Sequence, residues 1–118
     1  MRRTALAAMV PLLILLATGD ASAHASLDHA EPRVGNTVAT APREVTLWFT
    51  QKLETAFSAI TVTNSAGQRV DTGKTRVSGN QMTISLRPTG AGTYRVKWRV
   101  LSVDTHRADG DFSFKVGP

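Results

Sequence analysis

The sequence contains no cysteine, which excludes a disulfide framework, a zinc ribbon and a thiol nucleophile. Nor does it hold a hydrophobic run long enough to cross a bilayer. The apolar stretch Ala5–Ala17 spans 13 residues and includes Pro11, against roughly 20 for a spanning helix. Like charges are never concentrated: 14 Lys and Arg outnumber 9 Asp and Glu, but no five of one sign stand together. That excess speaks for solubility and weak attraction to anionic surfaces, and excludes a nucleic-acid footprint. Catalytic signatures are missing as well. There is no G-x-S-x-G elbow, H-E-x-x-H, P-loop or G-x-G-x-x-G, and 118 residues leave no room for a second conventional domain. The carboxylates are scattered, and Asp109 and Asp111 around Gly110 read as a solvated turn. The residues offer no enzyme.

What is present begins with a leader. Arg2 and Arg3, the apolar run, and Ala21-Ser22-Ala23 stand in the order n-region, h-region and A-x-A cleavage site. Residues 1–23 are therefore expected to be a secretory signal peptide. Cleavage after Ala23 leaves one domain, residues 24–118, that starts at His24 and carries a net charge of +4. Such a protein works in the periplasm or otherwise outside the cytoplasm, where packing alone must hold it together.

Period-two patterns dominate this domain. Tyr94, Val96, Trp98 and Val100 alternate strictly with Arg95, Lys97 and Arg99, so the first set faces a core and the second faces water. Met82–Leu86, Phe112–Val116, Val45–Thr50 and Ile60–Thr63 alternate too, with shorter β-prone pieces near Val70 and Val77. Turn residues punctuate the runs at Val34-Gly35-Asn36, Asn64-Ser65-Ala66-Gly67, Ser78-Gly79-Asn80 and Arg87–Gly92. About seven short strands in roughly a hundred residues predict an all-β, immunoglobulin-like antiparallel sandwich, with Tyr94 placed as a corner tyrosine. Gln51–Ser58 fits one helical turn or a bent connection, and Trp48 and Trp98 are expected in or near the core. Met82 reads as core filler.

The histidines are few: His24, His29 and His106. As a mature N-terminus, His24 offers its α-amine and imidazole Nδ1 to one metal ion. Their ordinary pKa values, near 8 and about 6.5, make deprotonation cheap at neutral pH. Asp104 and His106 stand two apart after the Tyr94–Val100 strand, a spacing that puts both on one side of an extended segment. Nitrogen donors completed by a carboxylate oxygen, without sulfur, suit Cu(II), while Ni(II) could use the same geometry and Zn(II) would need it to relax toward tetrahedral; a solvated polar loop is the plain alternative. His29, beside Asp28, is read as a surface residue, and Arg95, Lys97 and Arg99 as a solvated strand face.

These residues resemble the CopC family of periplasmic copper-resistance proteins. The resemblance runs from His24-Ala25-Ser26-Leu27, Ala30-Glu31-Pro32 and Val45–Phe49 to Ala91–Val100, Asp104-Thr105-His106 and Phe112–Val116. It implies a cupredoxin- or immunoglobulin-like sandwich that binds Cu(II) through His24, Asp104 and His106. It further implies a role in copper resistance or delivery beside a CopD-like membrane protein, with no catalysis; the chain is read as a monomer. Two departures stand out. Asn64–Gly79 lacks the methionines with which some members bind Cu(I), and Gln51 stands where some carry a glutamate. A histidine-brace copper oxidase and a metal-free interaction module are the rival readings.

Overall fold

The computed structural model describes residues 26–118, so the leader reading of 1–23 and the donor His24 lie outside the described residues. Eight strands and one short 3-10 turn follow in order: β1 (Leu27–Glu31), β2 (Thr37–Val38), β3 (Glu44–Phe49), the turn Thr55–Phe57, β4 (Ala59–Asn64), β5 (Asp71–Ser78), β6 (Gln81–Leu86), β7 (Gly92–Leu101) and β8 (Arg107–Val116). They form two four-stranded sheets, β1-β3-β6-β5 and β2-β8-β7-β4. Every pairing is antiparallel except the two-residue β2 beside β8. The expected sandwich is present, with one strand more than anticipated.

Alternation decides which residues meet between the sheets. Val45, Leu47, Phe49, Met82 and Ile84 from one sheet face Ile60, Val62, Tyr94, Val96, Val100, Phe112, Phe114 and Val116 from the other, all buried. Arg95, Lys97 and Arg99 point outward as expected. The Tyr94 hydroxyl donates to Gly90 O at 2.6 Å, the corner tyrosine in its expected place. Thr55–Phe57 supplies the single helical turn of the bent connection.

Two expectations are corrected. Asp109, Gly110 and Asp111 are not a turn; they lie inside β8, opposite Arg99, Trp98 and Lys97 of β7. The two carboxylates face outward into the basic stripe, and Arg95 Nη1 donates to Asp111 Oδ1 at 2.7 Å. Gly110 faces inward because Trp98 fills its side-chain space: a Cβ there would stand 2.5 Å from the indole. Trp98 in turn meets Phe49 edge-on, with ring centroids 5.0 Å apart. Trp48, by contrast, is not in the core. It sits on the outer face of its sheet, under the His29 ring, with centroids 4.3 Å apart and planes nearly parallel.

A polar seam closes one side of the sandwich. β4 and β5 are edge strands of different sheets, and side chains of β5 take up the N–H groups that β4 turns away from β7. Val62 N donates to Asp71 Oδ2 at 2.7 Å and Ile60 N to Thr75 Oγ1 at 3.0 Å. Asp71 is 2% exposed and also accepts from Gly73 N and from both forks of Arg69. Gly73 bulges out of β5 at φ 84°, which lets its N–H turn back onto that carboxylate. Burial alone would raise the Asp71 carboxyl. The Arg69, Val62 and Gly73 hydrogen bonds and the Arg69 charge outweigh burial and hold it below the ordinary carboxylate range.

Two predictions follow from this packing. A carboxyl with a depressed folded pKa contributes stability that is full above its unfolded value of 3.8 and is lost as pH falls through the folded value. Asp71→Asn should therefore flatten the acid limb of urea-midpoint against pH, and Asp71→Ala should cost about 3 kcal/mol or more at neutral pH. Gly110→Ala should cost about 1–3 kcal/mol in urea denaturation by overpacking, with a shift in Trp98 fluorescence.

Candidate metal centre

The β7–β8 hairpin ends in a tight loop. Its ladder closes at Leu101 opposite Arg107, after which Ser102 N donates to His106 O at 2.9 Å and Thr105 N to Ser102 O at 2.8 Å. Val103 and Asp104 form the turn, and Thr105 completes it in the left-handed region at φ 71°. Three-residue hairpin loops place their last residue there, normally glycine. A β-branched residue in that region is strained. Thr105 retains one compensation, a hydroxyl bond to Asp104 O at 2.5 Å.

Asp104 and His106 meet across this turn, with Asp104 Oδ1 and His106 Nδ1 3.3 Å apart and both side chains about half exposed. The pair expected from the i, i+2 spacing is brought together, but not by strand alternation: the segment is a turn, and Thr105 swings the two side chains toward one another. The hub is Ser102, fully buried. Its hydroxyl donates to Asp104 Oδ1 and accepts from His106 N at 3.3 Å. That Ser102 hydrogen bond is the main reason the Asp104 carboxyl lies below its ordinary pKa. Slight desolvation opposes it, and hydrogen bonding to His106 adds to it. At neutral pH Asp104 is an anion held in place. In the sequence Ser102 stands with Asp104-Thr105-His106 in the part that resembles the CopC family, but a serine two residues before the aspartate carries no role of its own there.

The chain's N-terminal side approaches the same loop. Leaving β3, the strip Thr50–Glu54 crosses toward the second sheet. Thr50 N donates to Ser26 O, and Ser26 N to Thr50 Oγ1, both at 3.0 Å. On the other side, Val103 N donates to Lys52 O at 3.0 Å and Glu54 N to Leu101 O at 2.8 Å. Ser26 and the Asp104 loop thus flank one short strip, and exposed Gln51 lies between their anchor points. His29 is elsewhere: its Nδ1 pairs with Asp28 at 2.7 Å and its ring covers Trp48. Among the described residues no third His, Cys, Asp or Glu joins Asp104 and His106 in a metal-holding group. Met82 is the one methionine among them and is buried in the core.

Two donors about 2.0–2.1 Å from one ion stand roughly 2.8–3.4 Å apart over square to tetrahedral angles. The Asp104–His106 separation falls in that range.

Residues 27–117 match the CopC domain. The chain belongs to the CopC family. It is 34% identical to protein YobA of Escherichia coli K12, over 92% of this chain and 91% of that protein. It is also 34% identical to copper resistance protein C of Xanthomonas campestris pv. juglandis, over 86% of each. A third relative is copper transport protein CutJ of Bacillus subtilis, 33% identical over 80% of this chain but only 18% of its own length. The crystal structure of CopC from Methylosinus trichosporium OB3b superposes with a TM-score of 0.76 at 33% identity, covering 80% of this chain and 95% of that one.

In this CopC-family chain the serine hub is open to test. Ser102→Ala should raise the Asp104 pKa toward its ordinary value, read by the carboxyl carbon shift in an NMR titration. Asp71 should not move in the same spectra.

Proposed function

We propose that the protein is an exported Cu(II) carrier, holding copper as cargo and passing it on, with no reaction catalysed. In this reading His24 contributes its amine and Nδ1, His106 an imidazole nitrogen, and Asp104 an oxygen or a nearby charge. A nitrogen-rich set completed by a carboxylate, with no surface thioether among the described residues, selects Cu(II) over Cu(I). The observation that carries the proposal is the shared strip: Ser26 bonds to Thr50 while Val103 bonds to Lys52. His24 is two residues before Ser26, a reach of about 7 Å of backbone plus its side chain. Ser26 and Val103 of the loop are bonded to the strip at Thr50 and Lys52, two residues apart.

Asp104 has a second office on this reading. If Nε2 of His106 takes the metal, its Nδ1–H donates to Asp104, and the carboxylate orients the ring instead of binding. CutJ, a named copper transport protein, contains a region like this chain within a much longer sequence. That supports delivery to a membrane transporter of the CopD kind as the fate of the cargo.

Purified protein beginning at His24 should bind one equivalent of Cu(II), with a d–d band and an axial EPR signal. His24→Ala or His106→Ala should weaken binding by on the order of 100-fold or more, since removing mere orienting partners already costs 10–100-fold. Protein carrying one extra residue before His24 should bind as weakly as His24→Ala, because the amine has become an amide. Equal affinity in all four forms would defeat the proposal.

A further inference from the structure

Opposite the copper loop, at the pole where β3 and β7 begin and β6 ends, a cleft of about 400 Å3 opens between Ala41–Arg43 and Leu86–Thr89. Two arginines line it. Among the described residues neither Arg43 nor Arg87 makes an ion pair or a side-chain hydrogen bond, a condition shared with Arg33, Arg99 and Arg107; what distinguishes this pair is that both line one cleft. The backbone fixes where both arginines start. Leu86 N donates to Arg43 O and Arg87 N to Val70 O, each at 2.8 Å, and the Tyr94 hydroxyl pins Gly90 just beyond. Thr89 Oγ1, in the same lining, is sealed from solvent and has no hydrogen-bond partner among the described residues.

We infer that this cleft is a binding site for a phosphate-type oxyanion. Neither guanidinium has a carboxylate partner, so both charges are available to an anion in the cleft. Guanidinium forks match phosphate and carboxylate geometry. Two full charges with a third donor match a phosphate monoester, which carries about −1.5 to −2 charge and three acceptor oxygens, better than a singly charged carboxylate. An unsatisfied buried hydroxyl is costly, so rotation of Thr89 about χ1 toward an acceptor in the cleft is favoured once the anion is there. Pro42 and Pro88 supply stiff apolar walls, suited to a phosphate that carries an organic group. The same chemistry is presented by a soluble phosphate ester and by a phosphomonoester lipid headgroup. The site is independent of the copper reading, since it shares no residue with the loop.

The test uses the purified metal-free protein. Amide NMR spectra are followed during titration with sodium phosphate, and with sodium acetate at matched ionic strength. Phosphate should give saturable shifts confined to residues 41–43 and 86–90, with acetate at least about tenfold weaker. Arg43→Ala and Arg87→Ala should each weaken phosphate by about tenfold or more, the loss of one charge-assisted contact. Both side chains are exposed, so their remote amide peaks report that the fold is kept. Thr89→Val should weaken phosphate severalfold without lowering the urea midpoint, which a purely structural hydroxyl would not do. Phosphatidylcholine vesicles with and without phosphatidic acid separate the sources. Capture only by the acidic vesicles, lost in Arg43→Ala/Arg87→Ala, assigns a lipid headgroup; saturable phosphate binding without capture assigns a soluble ester. Non-saturating shifts, equal response to acetate, or phosphate binding unchanged in the arginine variants would overturn the inference.

Discussion

The strip Thr50–Glu54 is the constraint on which the functional end of this molecule depends. It has no regular structure of its own, yet its backbone is bonded to four other segments. Thr50 meets Ser26, Leu53 N donates to Gly79 O at 2.9 Å, Glu54 N reaches Leu101 O, and Lys52 O receives Val103 N. Just before it, Phe49 is locked to Asn80 through Phe49 N–Asn80 O and Asn80 Nδ2–Phe49 O. Buried Leu53 anchors the crossing, bridged to Ser102. A loop so fully hydrogen-bonded behaves as a spacer of fixed width. That width sets the distance between the N-terminal entry and the Asp104–His106 turn.

The opposite edge is closed by a different device. A chain with no disulfide must stop its edge strands from opening, and β4 and β5 do so by exchanging side chain for backbone across the two sheets. Asp71 is the expensive part of that seam: an anion taken out of water, tolerable only because four donors converge on it. Arg69 is half exposed, so solvent screens its share, and the two backbone N–H groups carry much of the stabilisation. The seam confers specificity as well, since no neighbouring register aligns the carboxylate with Val62 N.

Strands whose buried hydrophobes keep period-two order were legible in the sequence: β3, β4, β6, β7 and the second half of β8. Where the pattern broke, a physical cause can be named. In β1 the register shift at Asp28 reverses the alternation, so His29 faces out and Ala30 faces in. β2 has only two residues. β5 buries an aspartate where a hydrophobe would be sought. Asp109-Gly110-Asp111 has turn composition, and only the Trp98 indole from the neighbouring strand explains a glycine there. Such information is non-local. At the candidate site the residues Asp104 and His106 were legible but their conformation was not, because a left-handed threonine runs against its own propensity.

That threonine bears on how the site could hold metal. The strain at Thr105 persists because the ten-residue ladder of β7 with β8, and Ser102 beneath it, over-determine the turn. Asp104 and His106 are consequently held at their mutual distance before any ion arrives, and their ordering is charged to folding. On the proposed reading the Asp104–His106 half of the donor set is thus preorganised, and with both side chains about half exposed a competing ligand can reach it from solvent. Transfer by stepwise exchange then needs no opening of the sandwich, which suits a carrier better than a store.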